Sequence, residues 1–408
     1  MVTRLEAKPM PTVVVVLPST TYRAADFVRA AGDLGIDLIV ASEQPPPFDM
    51  GDSYLQIDCT DPQIAAEAIV RAGDRASIDG IVAADDGGVV VAALAGSRLG
   101  MRANHPDAAR ATRDKSSQRS LLAVGEVPQP RFATLGPDDD PVEAARDIGY
   151  PLVVKPLDRS AAQGVVKADD EDGLREAVSQ VHAIVGQDAH LLFESYMPGA
   201  EIALEGLIMQ GRLVELAIFD KPDAGSGPSF PETILVTPSR LGPVAQDECR
   251  RVAEASVRAL GLTHGPVHIE MKVENDVARV IEVAARSIGG LCSRSLNFGL
   301  MGTSLETLIL RNALGMDKTE LHREPTSSGV LMIPITRAGR LVSVDGIDRV
   351  RGLEGITGVD ITIPLGEQVA PPPVGDRYLG FVFAKSSGPT LVEASLREAM
   401  SSIRLIIE

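Results

Sequence analysis

GPVHIEMKVENDVARVIEVAARSIGGLCSRS, residues 265–295, is the stretch whose alternation decides the fold. Two apolar runs with a period of two flank the polar tripeptide Glu274-Asn275-Asp276, the pattern of an antiparallel hairpin. Side chains alternate along a strand, so His268, Glu270 and Lys272 share one face of the first run, and Glu282, Ala284 and Arg286 share one face of the second. A connection with an odd number of residues centred on Asp276 sets Glu270 directly opposite Glu282. Like charges facing across a ladder destabilise it, so such a pair calls for a cation, and oxygen ligands without neighbouring His or Cys suit magnesium. The competing reading is a solvated strand face whose register happens to bring two acids together. Ser287-Ile288-Gly289-Gly290 follows as a turn whose backbone N–H groups suit an anion.

Composition narrows the field around this hairpin. A chain of 408 residues exceeds one core, and 44% hydrophobic residues suffice for ordinary globular domains. Aromatic residues make up only 3% and tryptophan is absent, which argues against base-stacking platforms. A net charge of −17 argues against nucleic-acid and anionic-membrane partners. Cys59, Cys249 and Cys292 are far apart, form no zinc-type spacing and suggest no disulfide framework, so a reducing cytoplasm is the expected compartment. No apolar run approaches the roughly 18 residues a membrane span needs.

Residues 12–106 read strand, helix, strand, helix, strand, with the near-continuous apolar runs Val13–Pro18, Ile36–Ser42 and Gly80–Asp86 expected of buried parallel strands. Asp61 is the expected N-cap of a helix over Asp61–Ala72, with Pro62 at its first position. The turn after the first strand, Leu17-Pro18-Ser19-Thr20-Thr21, lacks glycine and is no dinucleotide fingerprint, and no P-loop motif occurs. Ala108–Gly125 reads as a basic amphipathic helix carrying Arg113, Lys115 and Arg119, of which Arg113 and Arg119 are expected on a solvated face.

Tyr150–Pro156 is an apolar strand ending in Lys155, and a lysine so placed needs a partner such as phosphate. Asp158–Val166 is a small polar loop behind it. Glu194 and Glu201 flank the connector Ser195-Tyr196-Met197-Pro198-Gly199-Ala200, and strands Ile202–Met209 and Leu213–Asp220 turn at Gln210-Gly211. The Gly/Pro-rich loop 221–238 carries Lys221 and Glu232 and has the length of a functional lid. Beyond a helix over Leu305–Ala313 the chain becomes short strands and turns, closing in a helix over Thr390–Ile403, which reads as a separate α+β unit. The expected domains are 1–106, an open parallel α/β unit; 107–190, a linker helix and small lid; 191–320, a central domain with the paired-Glu hairpin; and 321–408, the α+β unit.

This order of motifs resembles the ATP-grasp superfamily: a lysine on a helix, a Lys-Pro-ended strand with a small loop, the Glu-x-x-x-Pro-Gly-x-Glu connector, a Gly/Pro loop, and a paired-Glu hairpin trailing an arginine. KPDAGSGPSFPETILVTPSRL, GPVHIE, EVAARSIGGLCS and the closing YLGFVFAKSSGPTLVEASLREA look like the L-amino-acid ligase type of carboxylate–amine ligase. The resemblance implies a two-lobed ATP-grasp core in a multidomain α/β and α+β chain, with ATP and Mg2+ (Mn2+ as substitute) as cofactors. It implies that Lys115 and Lys155 hold ATP phosphates, that Glu194 with the Tyr196 and Met197 backbone faces adenine, and that Glu201 meets the ribose. Glu270 and Glu282 would bind the metal, and Arg286 the transferring phosphate and acyl group. Ala284 stands where many ATP-grasp enzymes carry a metal-binding Asn, so the two glutamates and phosphate oxygens must hold any second ion, or that site is weakened.

An attacking carboxylate and a γ-phosphate are both anions, so magnesium and Arg286 are needed to neutralise their approach. The acyl phosphate would need a closing loop against water. His268 could take a proton from the attacking amine or orient Glu270, the latter being favoured. Lys221 is a candidate contact to a phosphate or carboxylate, Glu232 to an ammonium, and Ser287, Gly289 and Gly290 to a substrate carboxylate; Arg294 is a further substrate candidate. The expected activity is amide formation between small molecules, with amino acids as substrates, in a homodimer without nucleic-acid or membrane partners. The competing readings are a bicarbonate-using ATP-grasp carboxylase and a non-catalytic ATP-binding regulatory module.

Overall fold

The computed structural model describes the chain except residues 1–9, 20, 46–49, 76, 161, 224–232, 317–320 and 376. Strands Thr12–Val16, Asp37–Ser42, Tyr54–Gln56 and Gly80–Ala83 form a parallel sheet with Thr12–Val16 between Asp37–Ser42 and Gly80–Ala83. Val13 to Val16 are fully buried, as continuous apolar runs between two helical layers require. Asp61 caps the helix Pro62–Gly73, accepting from the Gln63 and Ile64 amides.

A second, antiparallel sheet of four strands orders Phe132–Leu135, Leu191–Ser195, Leu152–Pro156 and Val166–Ala168, with helix Glu171–Val185 packed behind it. Leu191–Ser195 therefore lies in the small lobe, on the other side of the boundary expected at 191. The stretch expected as one helix over 108–125 is two, Pro106–Ala111 and Lys115–Val124, because Asp114 turns extended and caps the second through the Ser117 amide.

The third sheet has eight strands in the order Val277–Ala284, Gly265–Glu274, Ala200–Met209, Arg212–Lys221, Ile234–Thr237, Ser327–Met332, Gly380–Ser386, Ile356–Ile361. The C-terminal strands thus continue the central sheet rather than standing apart, and helix Pro389–Ser402 covers their outer side. Alternation sorts the central strands between two layers. Ile202, Leu204, Ile269 and Met271 pack under helices Pro243–Ala259 and Lys115–Val124, while Ala203, Leu207 and Phe219 face the N-terminal domain and helix Leu305–Ala313.

The N-terminal domain is fastened to this sheet by buried charge. Arg23, 1% exposed, donates through Nε and Nη2 to Glu306 Oε1 at 3.2 and 2.5 Å and through Nη1 to Ser287 Oγ at 2.5 Å. Arg23→Ala strands a buried carboxylate and is expected to cost about 3–5 kcal/mol, whereas Arg23→Met with Glu306→Leu recovers most of it. Urea unfolding of the two variants checks this, and a double variant no better than the single would count against it.

Candidate active site

The hairpin brings Glu270 opposite Glu282 by a different route from an odd-numbered loop. Asn275 and Asp276, with φ of 51° and 61°, form a two-residue turn between the paired Glu274 and Val277. Positive φ at both central residues is the type I′ geometry, whose twist matches the flanking strands. That turn alone would put Ile281 opposite Glu270 and send Glu282 into the apolar layer. A bulge intervenes: Val280 pairs Met271, yet Glu282 pairs Glu270, so Ile281 is the extra residue. Two residues of the bulged strand then oppose one on its partner, and both Ile281 and Glu282 line the cleft.

Helix Lys115–Val124 holds the bulged strand in place. The Gln118 side chain accepts from the Val283 amide at 2.9 Å and donates to the Val283 carbonyl at 2.8 Å. Arg119 donates to the carbonyls of Val280, at 3.1 Å, and Ile281, and to Glu194 Oε1 at 2.6 Å. Arg119 is 2% exposed, so the solvated face expected for it is wrong: the bulge turns carbonyls outward and only a buried multi-donor group satisfies them. Arg113 is also engaged, its Nη1 3.2 Å from Asp86 Oδ1.

These elements enclose a cleft of about 440 Å³ between the small lobe, the central sheet and the N-terminal domain. Lys115, Lys155, Glu194, Tyr196, Met197, Glu201, Lys221, His268, Glu270, Glu282, Arg286, Gly289 and Gly290 all line it. Ser287 is buried at its edge, its hydroxyl held by Arg23. Arg294 is not brought there; its guanidinium bonds Asp26 at 2.9 Å and Asp360 at 3.0 Å, joining the N-terminal helix to strand Ile356–Ile361. Glu232 lies outside the described residues.

Charge in the cleft is arranged in pairs. Lys115 Nζ lies 3.1 Å from Glu282 Oε1, and Lys221 Nζ lies 3.1 Å from Glu270 Oε1 and 2.6 Å from Glu201 Oε1. Glu201 also meets Lys272, at 3.0 Å. Lys155 Nζ sits 2.6 Å from Glu194 Oε2. Burial pushes the Lys155 ammonium below its ordinary value although Glu194 opposes this. Burial would raise Glu194, but Arg119 and Lys155 hold its carboxyl below the usual range.

His268 bridges two carboxylates, its Nδ1 against Glu205 and its Nε2 3.2 Å from Glu270. Burial disfavours its charge, but Glu205 and Glu270 outweigh that and lift it to about 9. Both ring nitrogens are engaged by carboxylates, which favours the orienting role over that of a base. Arg286 donates through Nη2 to Asp86 Oδ2 at 3.0 Å and through Nη1 to the Ser287 carbonyl at 3.0 Å. Burial would raise Asp86, yet Arg286 and Arg113 bring it down to about 2.

Asp86, Arg119, Glu205 and Arg23 were not singled out from the sequence as site residues. Asp85-Asp86 follows the strand Gly80–Ala83, and the carboxyl ends of parallel strands are where an open α/β sheet presents ligand-binding groups, so that signal was present. Glu205, an acid inside the apolar run IALEGLIM, was another.

The donor set fits a divalent, oxygen-seeking ion. Glu270 and Glu282 are opposed carboxylates whose oxygens already meet two ammonium groups, and magnesium is commonly held by one or two carboxylates plus substrate phosphates. Ala284, opposite His268 in the ladder, adds no ligand.

Comparison with known proteins bears on the domains that build this cleft. The family described as ATP-grasp domain matches residues 148–295, and that described as L-amino acid ligase C-terminal domain 2 matches residues 331–408. A Sinorhizobium fredii protein, y4rH, is 22% identical over 98% of this chain and 84% of its own length. Alanine–anticapsin ligase of Bacillus subtilis is 28% identical over 55% of this chain and 51% of its own length, so the aligned part spans about half of that relative. The crystal structure of an L-amino acid ligase from Bacillus licheniformis superposes with a TM-score of 0.82 at 23% identity, covering 98% of this chain and all of that one, and so shares the fold. The chain thus carries an ATP-grasp domain over residues 148–295 and, over residues 331–408, the C-terminal domain 2 of the L-amino acid ligases.

Proposed function

We propose that the cleft joins the carboxylate of one amino acid to the amine of another, forming a peptide bond while ATP is cleaved to ADP and phosphate. The observation that carries this is the facing of Glu270 and Glu282 beside Lys115, Lys155 and Arg286 in one enclosed cleft. Val153, Lys155, Glu194–Met197 and Ile281 form the wall suited to adenine, and Glu201 lies where a ribose hydroxyl can be accepted. Lys115 and Lys155 supply positive charge to the phosphates. Magnesium held by Glu270 and Glu282 would screen the γ-phosphate and polarise it toward attack. Mn2+ is the substitute expected for the same oxygens.

Arg286 is clamped by Asp86 and by its neighbour's carbonyl, so its charge is fixed before substrate arrives and costs no reorganisation at reaction. The substrate carboxylate oxygen attacks the γ-phosphorus and ADP leaves; the amine then attacks the acyl carbon, and phosphate departs and takes up the amine's proton. His268, bonded to Glu205 on one side and Glu270 on the other, holds Glu270 in place rather than taking the amine's proton. The Gly289-Gly290 backbone is suited to a substrate carboxylate. No helix among the described residues is long and apolar enough to cross a membrane, and the substrates proposed are small molecules.

The test is phosphate release from ATP and Mg2+ with amino acids supplied singly and in pairs. Release that requires a pair and yields ADP supports the ligase and names both substrates. Release with bicarbonate and no amine would move the assignment to a carboxylase. Bound ATP without turnover under every condition would favour a regulatory module.

A further inference from the structure

Glu205 is a fully buried carboxylate in the strand Ala200–Met209, directly opposite His268 in the ladder. A charge in that position persists only if its oxygens are bonded, and its two oxygens serve different clients. Oε1 meets His268 Nδ1, whose ring reaches Glu270 Oε1 through Nε2 at 3.2 Å. Oε2 accepts the Ile288 amide at 2.9 Å. On the far side of the same backbone, Arg23 Nη1 donates to the Ile288 carbonyl at 3.4 Å and to Ser287 Oγ at 2.5 Å. The start of the Ser287–Gly290 turn is therefore pinned from both sides, and one of the pins runs back to a metal-site carboxylate.

We propose that Glu205 is a positioning residue that ties the Glu270–Glu282 pair to the Ser287–Gly290 turn, setting the metal–nucleotide site and the acyl-substrate site with one buried carboxylate. The inference rests on the ligase reading for the role of the turn, and on the metal pair alone for the rest. With Glu205 bonded, the imidazole plane of His268 is fixed and Glu270 is aimed across at Glu282. With glutamine there, one acceptor oxygen remains but the amide nitrogen cannot accept from Ile288. Outer partners of metal ligands are typically worth 10–100-fold in metal affinity.

The experiment uses Mn2+, visible by electron paramagnetic resonance, with the non-hydrolysable ATP analogue AMP-PNP, on the full-length wild type, Glu205→Gln, His268→Gln and the double variant. Each single variant is expected to weaken Mn2+ binding about 10–100-fold, and the double variant to be no worse than the poorer single. AMP-PNP affinity in EDTA is expected to stay within about twofold. In turnover with the amino-acid pair identified above, Glu205→Gln raises KM for the carboxylate donor while His268→Gln leaves it unchanged, because only Glu205 holds the Ile288 amide. A merely structural role would not split the two variants in this way. Mn2+ affinity within about threefold of wild type in folded Glu205→Gln, or single losses that add in the double variant, overturns the proposal. Should Glu205→Gln not fold, unchanged Mn2+ affinity in His268→Gln overturns it equally. The Mn2+ readout needs no turnover, so a wild type that binds Mn2+ and AMP-PNP but joins no amino acids would sink the ligase reading and leave the metal arm of the proposal standing.

Discussion

Glu282→Ala is expected to lower amino-acid-dependent phosphate release by about 10³-fold, since a metal's stabilisation of developing charge is worth several kcal/mol and each 1.4 kcal/mol is a factor of ten. The loss is expected in the chemical step more than in nucleotide binding. Lys155 and the wall from Glu194 to Met197 do not depend on Glu282, so ATP affinity in EDTA should change only a few-fold. Glu282→Gln is expected to fare almost as badly, because an amide cannot offset a cation's charge. The side chain is 26% exposed and, among the described residues, its ion pair is to Lys115, so unfolding should shift by no more than about 1 kcal/mol. Phosphate release measured beside a urea unfolding curve separates these effects. A folded variant retaining a tenth of wild-type turnover would rule out Glu282 as a metal ligand.

Arg119→Ala is expected to be the most destabilising of the single changes around the cleft, costing about 3–5 kcal/mol. Its guanidinium donates to the Val280 and Ile281 carbonyls, and it shares Glu194 with Lys155. Removal leaves a buried carboxylate with half its compensation and two bulge carbonyls turned into an apolar layer. Because Ile281 and Glu194 both line the nucleotide end of the cleft, KM for ATP should rise in parallel. Arg119→Lys is expected to fall between wild type and alanine: an ammonium can meet Glu194 but cannot also span two carbonyls. Denaturation midpoints and ATP titrations of the two variants check the order. An Arg119→Ala protein within about 1 kcal/mol of wild type would mean the bulge is held by Gln118 and strand pairing alone.

What could be read in the sequence was whatever depends on local period and residue type. The buried parallel strands of the N-terminal domain announce themselves as unbroken apolar runs, the Asp61-Pro62 cap is a two-residue signal, and the Gln210-Gly211 turn lies where two alternating runs meet. The hairpin at 265–284 was legible in the same way, and the facing of Glu270 and Glu282 followed from it only for a loop of odd length. The route to that facing was not legible. An odd-length loop was the way considered from the sequence, whereas the chain makes a tight two-residue turn and spends one residue at Ile281. A bulge is decided by neighbouring layers, here by Arg119 and Gln118 waiting to bond its carbonyls and amides, and those lie more than 160 positions away.

Charge partners show the same division. That Lys155 needs an anion follows from a lysine at the end of an apolar strand, but Glu194, which supplies it, is known only once the two strands pair. Arg119 and Arg113 read as solvated because their stretch is amphipathic; only docking of helix Lys115–Val124 against the bulged strand buries Arg119, and only the approach of the loop at Asp86 gives Arg113, between the two helices, its partner. The sequence by itself determined the elements, their order and the chemical types gathered at the hairpin, since these rest on near-neighbour periodicity. Tertiary structure alone decided register at the bulge, the joining of the C-terminal strands to the central sheet, and which acid answers which base. Those depend on contacts between residues far apart in the chain, where burial makes an unpaired charge too costly to leave and so selects one pairing among many.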